Sequence, residues 1–468
     1  MSTFSGLNTA ASALAAARRG MDVVGQNLAN ELTEGYTRQR VTQSAVAAVA
    51  QSGRFSTGAV PGGGVAVTGI ARLGDALLDA RVRDSLGASG FWSTRAVVGA
   101  TAEAALAEPT ENGLAAGLSQ FWAGWQDLAN TPDSGAAAAA VLQSAAQLTG
   151  QIAEGYRTVA GTWTDARATA ERTVTQVNAS ADQIASLNRA IRDANASGRS
   201  ANELMDQRSV LAQNVARAVG GIATIEPDGT MTVRVDGNAL VSGTTARHLS
   251  IDGPRSIDAD GRMSLTWAGT GASAAITGGE LGGTLSVLAP AEDGGTLAQL
   301  AATYNAVAES LASALNSQHR AGVTSGGAAG GDFFALSSTG PAALGITVAV
   351  TSASDLALAA PGAGTWDSTN ADAISQIGAR DGSPDAIWID QITRLGVAVA
   401  ADAQRARLAE TSAVSAVAAQ QSVAAVDGDE ETINLLTYQT AYQAAARVMT
   451  AIDEALDVLI NRTGVVGR

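Results

Sequence analysis

Residue types that carry out catalysis or bind metal ions are scarce in this 468-residue chain. Cys is absent and the only His residues are His248 and His319, which excludes disulfides and thiolate sites and argues against a His-based metal cluster or a conventional catalytic triad. Lys is absent as well, so no phosphate-binding P-loop can be completed. His319 stands beside Arg320 at the end of a predicted helix, where a capping or surface role is expected. We therefore predict no catalytic residue, no cofactor and no metal ion.

Two clusters of side chains that could bind a ligand have simpler structural explanations. The acidic triplet 429–431 could hold a cation, but it stands at the start of a predicted helix, where carboxylates stabilise the positive end of the helix dipole. Trp122 and Trp125 share one face of a predicted helix, and such side chains anchor a core more often than they stack on a ligand. Carboxylate pairs of the glycosidase type have no sequence signature, so hydrolase activity is unsupported rather than excluded.

The charge balance restricts the partners of the chain. Its formal net charge is −15, and so acidic a chain lacks the surplus of cations that nucleic acid or an anionic membrane requires. It contains no apolar run long enough to span a membrane. Residues 1–10 include neither a basic segment nor an apolar block, so export is expected to use a route without a cleaved signal peptide. The sequence thus predicts no nucleic-acid partner and no membrane insertion.

Apolar residues at both ends of the chain recur in alternating steps of three and four, the heptad spacing of a coiled coil. The N-terminal stripe has two faults, Arg18 and Gly25, and otherwise consists of Phe4, Leu7, Ala11, Leu14, Met21 and Leu28. The C-terminal stripe has none and consists of Leu435, Tyr438, Tyr442, Ala445, Met449, Ile452, Leu456 and Leu459. Each helix could simply pack on a globular core, but two such helices at opposite ends of one chain favour their pairing with each other.

The region between the terminal helices is predicted to be mainly helical with a small β insertion. Pro is absent between Pro132 and Pro227, which permits long helices. From Ile222 apolar and polar residues alternate and Asp-Gly turn signals appear, as expected for β-hairpins. We therefore predict a mainly α fold with a small inserted β domain. Its expected parts are a terminal coiled-coil assembly domain (1–55 and 427–468), a long helical-bundle middle domain (56–220 and 281–426) and an outer β domain (221–280).

Several short motifs stand in a fixed order along the chain and together carry a family resemblance. The first are Ser-Gly-Leu-Asn-Thr-Ala at 5–10, Gln-Asn-Leu-Ala-Asn at 26–30 and Glu-Gly-Tyr-Thr-Arg-Gln at 34–39. Later ones are Gly-Gly-Val-Ala-Val at 63–67 with Arg72, Ile-Ala-Ser-Leu-Asn-Arg-Ala-Ile at 184–191, Asn-Glu-Leu-Met-Asp-Gln-Arg at 202–208, Gly-Gly-Glu-Leu-Gly-Gly at 278–283 and Asp-Glu-Glu at 429–431. Each motif is weakly specific, whereas the ordered set over nearly the whole chain is similar to the hook-associated protein 1 family.

The resemblance implies a structural adaptor that polymerises at the junction between the flagellar hook and the filament. It implies type III export to the extracellular flagellum, and as partners other copies of the chain, the hook protein, a second hook-associated junction protein and a flagellar export chaperone. The larger side chains of both apolar stripes would form the assembly interface. A chaperone groove binds a helix through apolar residues spaced three or four positions apart. Near the C-terminus, Met449, Ile452, Leu456 and Leu459 have this spacing and are the expected chaperone-binding residues.

Two alternative functions stay open at this point. The hook protein, or another rod or hook axial protein, fits the terminal helices equally well, although a mainly helical middle argues against the hook protein. An axial protein that carries a peptidoglycan hydrolase is the second alternative, but the β insertion has no evident catalytic cluster.

Overall fold

The computed structural model describes residues 3–47, 62–364 and 366–462, which form helices and small antiparallel sheets. The helices are α1 (Thr3–Ala29), α2 (Ala76–Ala105), α3 (Leu114–Asn130), α4 (Gly135–Ala196), α5 (Asn202–Val219), α6 (Gly279–Val287), α7 (Thr296–Arg320), α8 (Ala342–Gly345), α9 (Thr369–Ser375), α10 (Pro384–Ala424) and α11 (Gly428–Asp457). The strands are β1 (Gln39–Ala45), β2 (Val65–Arg72), β3 (Ile222–Ile225), β4 (Met231–Val235), β5 (Asn238–Ser242), β6 (Thr245–Ala246), β7 (Leu249–Asp252), β8 (Ser264–Trp267), β9 (Phe334–Ala335) and β10 (Thr347–Val348). The predicted fold, mainly α with a small β insertion, is confirmed.

The two terminal helices pair with each other, as their heptad spacing predicts. They run antiparallel, because Gly6 of α1 lies against Ile452 of α11, and Gly20 lies against the ring of Tyr438. On α11 the predicted stripe faces α1, since its members from Leu435 to Leu456 are buried or half-buried whereas most of the rest of the helix is exposed. The sequence therefore predicts correctly which face of α11 packs on α1.

The buried face of α1 differs from the predicted stripe. Small residues and valines dominate it: Ala10, Ala16, Ala17, Gly20, Val23 and Val24, with Asn27. The predicted Leu7, Leu14, Met21 and Leu28 lie beside this face and are half-exposed, and the side chain of Phe4 lies outside the described residues. The reason is that α1 contacts both α11 and the β1–β2 hairpin, and the distance between packed elements is set by the side chains at the contact. Small residues permit the close approach on which this double contact depends.

The longest element is α4, which at 62 residues extends for about 93 Å. It begins at Ser134, whose hydroxyl accepts a hydrogen bond from the backbone N–H of Ala137. Its first half shares a large core with α3, α7 and α10, in which Trp122 and Trp125 are buried as the sequence predicts. Despite this length, neither α4 nor any other helix in the described ranges is apolar enough to cross a membrane.

The strands between residues 222 and 267 pack on the second half of α4 and on α5. They form a four-stranded antiparallel sheet, in the order β3-β4-β5-β6, and a separate β7–β8 hairpin. A buried network anchors them, in which Arg208 donates to the side-chain oxygen of Asn188 at 2.8 Å and to the carbonyl of Gly229 at 2.7 Å. The sheet thus shares a core with the helices, and the predicted bounds of the three domains stay predictions.

His319 is not at the surface, so the surface role that the sequence suggested for it is wrong. Its side chain is fully buried at the end of α7. Nδ1 lies 2.8 Å from the carbonyl oxygen of Gly331, and Nε2 accepts a hydrogen bond from the backbone N–H of Ala357 at 3.0 Å. Burial lowers the pKa of His319 below its ordinary value, so the neutral ring joins two loops to the end of the helix.

Candidate functional site

Polar side chains from five distant segments meet where the terminal helices join the rest of the molecule. We call this cluster the polar joint; it consists of Asn27, Tyr36, Thr37, Arg38, Gln39, Arg72, Asn202, Glu203, Asp206, Glu430 and Glu431. Four of the motifs that carry the family resemblance, together with Arg72, supply all of these residues. These motifs therefore share one structural role, which is to form the polar joint.

Asn27 is the centre of the polar joint and uses its full hydrogen-bonding capacity. Its Nδ2 donates to the carbonyl of Gln39 at 2.9 Å and to the carboxylate of Glu431 at 3.0 Å. Its Oδ1 accepts from the Tyr36 hydroxyl at 2.9 Å and from the Gln39 N–H at 3.0 Å. Because the side chain is fully buried, each of these bonds would be costly to leave unmade. Asn27 thus fixes α1 to both β1 and α11.

Arg38 holds the start of α11 through two carboxylates. Its Nη1 lies 2.6 Å from Glu430, and its Nε and Nη2 each lie 2.7 Å from one oxygen of Glu431. Its backbone N–H donates to the carbonyl of Ala424 at the end of α10, at 2.8 Å. The side chain of Glu431 is only 2% exposed, so its charge depends on Arg38. The acidic triplet does lie in the first turn of α11, but its ion pairs were not foreseen.

Asp206 ties α5 into the same cluster. One carboxylate oxygen accepts from the Arg72 guanidinium at 2.5 Å, and the other accepts from the backbone N–H of Thr37 at 3.1 Å. Burial raises the pKa of Asp206 above its ordinary value, although Arg72 and the Thr37 N–H act in the opposite direction. This buried carboxylate therefore requires both donors, which join the end of β2 and the segment before β1 to α5.

The Gly35-Tyr36 pair shapes the entry into the polar joint. Gly35 has a φ of +75°, and a Cβ there would overlap the side chain of Val210 on α5, so only glycine fits this turn. Burial raises the pKa of Tyr36 to about 12, and the carboxylates of Glu203, Asp206 and Glu431 add to this effect. The phenol therefore stays protonated and donates to Asn27.

The polar joint is suited to holding elements together rather than to chemistry on a substrate. Its buried carboxylates are matched by Arg38 and Arg72, and its hydrogen bonds are made within the chain. A cavity of about 320 Å³ opens beside it, between α1, β1 and α11. Within the described ranges, no cluster of His, Asp and Glu is arranged to hold a metal ion. The arrangement couples the position of the terminal helices to that of the helical body.

The predicted interface residues lie on one pair of helices but not along one seam. Those of α11 that face α1 are Leu435, Tyr438, Tyr442, Met449, Ile452 and Leu456, whereas Leu459, in the π-helical turn after α11, is 57% exposed. On α1, Leu7, Leu14, Met21 and Leu28 lie beside its buried face and stay half-exposed, and the side chain of Phe4 lies outside the described residues. The role of all these residues in assembly stays a prediction. The role of Met449, Ile452, Leu456 and Leu459 in binding a chaperone also stays a prediction.

Sequence reasoning did not identify the polar joint as a site. Asn27 and Glu431 are 404 positions apart, and Thr37 and Asp206 are 169 apart, so no local periodicity could bring them together. One signal was present: Asn27 is a polar residue on what proves to be the apolar face of an amphipathic helix, where a buried partner is required.

Models of protein families match three parts of the chain. The model described as the flagellar hook-associated protein FlgK helical domain matches residues 100–334, half of the sequence. This chain belongs to the FlgK family. A flagella basal body rod protein model matches residues 7–37, and a model of the C-terminal part of the flagellar basal body rod FlgEFG protein matches residues 420–462. The FlgK match thus covers much of the helical body, and the two rod-protein matches cover the terminal helices.

Individual members of the family are similar over long stretches. Flagellar hook-associated protein 1 of Bacillus subtilis (strain 168) is 29% identical over the whole of both chains. The protein of that name from Escherichia coli (strain K12) is 30% identical over 70% of this chain and 60% of its own length. The solved structure of the flagellar hook junction protein FlgK from Burkholderia pseudomallei shares the fold, with a TM-score of 0.63 and 16% identity over 74% of this chain and all of that one. The chain is a structural component of the bacterial flagellum.

Proposed function

We propose that this chain polymerises as a structural adaptor between the flagellar hook and the filament. The observation that carries the proposal is the polar joint, which fixes a terminal helix pair similar to rod proteins onto a body similar to the FlgK helical domain. The terminal pair suits contact with other axial proteins, and the body is particular to the hook-associated family. The partners are other copies of the chain, the hook protein and a second hook-associated junction protein.

The same role places the chain outside the cell and needs no catalytic activity. The chain leaves the cell through the flagellar type III apparatus, a route that the similarity to flagellar hook-associated proteins supports. The alternative, a rod or hook protein, is supported only by the matches at residues 7–37 and 420–462.

Electron microscopy of flagella that carry a labelled copy of the chain distinguishes these functions. We expect the label in a narrow band between hook and filament. Label along the length of the hook, or within the rod, would instead assign the chain to the alternative, and label spread along the filament would contradict both.

The export chaperone is proposed to bind the C-terminal helix by Met449, Ile452, Leu456 and Leu459. Three of these side chains are half-buried, and Ile452 lies against Gly6 of α1, so chaperone binding would displace α1 and prevent premature pairing of the terminal helices. A pull-down with residues 430–468 removed tests this proposal. Undiminished affinity of the truncated chain for the chaperone would show that the binding site lies elsewhere.

A further inference from the structure

A groove of about 620 Å³ opens in the helical body, within the range of roughly 300 to 1,000 Å³ that ligand sites occupy. It is lined by residues of α4 and α7, by the loops 254–262 and 288–293, and by residues 340–341. None of these residues belongs to the terminal helices or to the polar joint. We call it the body groove.

The indole N–H of Trp163 is an unused hydrogen-bond donor at the body groove. Trp163 lines the groove and is only 2% exposed, and its N–H has no hydrogen-bond partner within the described residues. The N–H groups of Trp122 and Trp388, by contrast, donate to carboxylates. Those of Trp125 and Trp267 are unpaired too, but they are enclosed in the core, where no ligand reaches them. A nearly buried donor without a partner needs an explanation, and an acceptor bound in the groove supplies one.

Two carboxylates of the body groove are free to pair with cations. Asp260 and Glu292 line the groove, are exposed and form no ion pair within the described residues. The other two acidic groups of the lining are engaged, since Asp258 accepts a hydrogen bond from α4 and Asp293 pairs with Arg262. The described residues contain no acidic group arranged to hold a metal ion, so the two free carboxylates suit separate cationic side chains.

The part of the body around the groove is strongly acidic. Residues 100–165 and 288–400, which supply most of the core around Trp125, contain 17 Asp and Glu against 4 Arg, so most of the net charge of −15 lies here. In the lining itself four carboxylates stand against the guanidinium of Arg262, because Arg255 of the same loop lies outside the lining. A field of this sign attracts cationic partners and speeds their encounter with the groove.

The apolar part of the body groove suits the stems of long basic side chains. Short apolar side chains line it: Pro290, Ala298, Ala301, Ala302 and Pro341. Lys and Arg lay their methylene stems along such a surface while their charged heads reach an acidic rim. A sugar ring would instead need an exposed aromatic face for stacking, and both Tyr156 and Trp163 are buried. Charge and shape therefore favour a basic peptide as the occupant.

We propose that the body groove binds an extended basic segment of a partner protein. Arg or Lys side chains of the segment pair with Asp260 and Glu292, and one of its backbone carbonyls accepts a hydrogen bond from the Trp163 N–H. The inference goes beyond the adaptor function, because it requires neither polymerisation nor the terminal helices.

A synthetic fluorescent peptide in which three arginines alternate with alanines tests the proposal on the full chain. We expect saturable binding, measured by fluorescence anisotropy, that weakens as salt is added. The control peptide carries citrulline, the uncharged isostere of arginine, and should not bind. If the arginine peptide does not bind, or if both peptides bind equally, the proposal is wrong.

A double variant, Asp260→Asn with Glu292→Gln, tests whether the peptide binds in the groove. We expect its Kd for the arginine peptide to rise about tenfold, because two charge-assisted contacts are lost. The matched control, Asp133→Asn with Glu309→Gln, removes the same charge at exposed positions of the same acidic part but outside the groove. It should change the Kd by less than about twofold. Equal effects in the two double variants would assign binding to the general field of the body and contradict a groove site.

The Trp163 N–H gives a direct nuclear magnetic resonance signal from the groove. In a chain labelled with ¹⁵N at its tryptophans, this peak is identified by its loss in Trp163→Phe. We expect the arginine peptide to move it downfield, as a new hydrogen bond does, while the peaks of the enclosed Trp125 and Trp267 stay in place. A Trp163 peak that does not move at saturating peptide would overturn the proposal. A peak moved by the neutral trisaccharide maltotriose, but not by the peptide, would overturn it in favour of a carbohydrate site.

Discussion

At the scale of single residues, the burial of Glu431 decides how firmly α11 is held. Its side chain is 2% exposed and its charge is balanced by Arg38, while Asn27 donates to its second oxygen. A buried carboxylate that loses its cation keeps the cost of desolvation without the attraction that offsets it. The ion pair therefore links the N-terminal and C-terminal segments more strongly than an exposed pair would.

Replacing Arg38 by alanine should loosen the first turns of α11. We expect a loss of about 3 kcal/mol in the free energy that protects this segment from opening, because Glu431 is left buried and unpaired. Hydrogen exchange of the backbone amides of residues 428–436 measures the change. Arg40→Ala, at an exposed position on the same strand, should alter it by no more than about 0.5 kcal/mol. Equal exchange in the two variants would contradict the role of the ion pair.

His319 should make the helical body less stable in mild acid. Its folded pKa lies below the ordinary value of 6.5, so the unfolded chain binds the proton more readily. Its contribution is thus fully present above pH 6.5 and is lost as the pH falls from there towards the folded pKa. Thermal unfolding of His248→Gln between pH 7.5 and 5.5 measures this loss with one histidine left. Adding His319→Gln should make this loss of thermal stability shallower. If the double variant loses stability more steeply than His248→Gln alone, His319 is not the group responsible.

At the scale of elements, the two terminal helices show what a heptad pattern can and cannot predict. On α11 the residues that face α1 are also the large apolar ones, so the pattern found the correct face. On α1 the pattern found Leu14 and Met21, but the buried face consists of smaller residues such as Ala17 and Gly20. Hydrophobicity alone cannot identify a face chosen for close approach, since glycine and alanine contribute little to an apolar stripe.

The polar joint was beyond sequence reasoning for a different reason. Its bonds connect segments that are distant in the sequence, and each polar residue taken alone resembles an ordinary surface residue. Their burial, as at Asn27 and Glu431, and the left-handed conformation of Gly35 distinguish them, and both require the fold.

A bulky residue at Gly20 should separate the terminal helices. A Cβ at this position would overlap the ring of Tyr438, so Gly20→Val cannot keep the present distance between α1 and α11. We expect limited proteolysis to cleave both terminal helices of this variant at least tenfold faster than in the wild type, while α4 resists as before. Gly150→Val, at an open position in α4, is the control. Terminal helices that resist protease equally in both variants would show that the pair tolerates a wider spacing.

At the scale of the whole molecule, the terminal pair and the helical body are distinct in packing but joined in position. The pair relies on a narrow seam in which most of the α11 side chains are only half-buried, whereas the body has a large core around Trp125 and Trp163. The polar joint connects the two, so an assembly contact made by the terminal helices also fixes where the body lies. This is the property expected of an adaptor that must present one surface to the hook and another to the filament.

The number of filament-bearing hooks, counted by electron microscopy, tests the adaptor function most directly. A strain that lacks this chain should form hooks without filaments, and the wild-type chain should restore the filaments. Leu456→Asp should be made with a folded body yet restore at least tenfold fewer, because a carboxylate on the half-buried face of α11 would be desolvated without a partner. Asp457→Asn, at the exposed neighbouring position, should restore them fully. Filaments in normal number in the strain that lacks the chain, or with Leu456→Asp, would contradict an adaptor that assembles through its terminal helices.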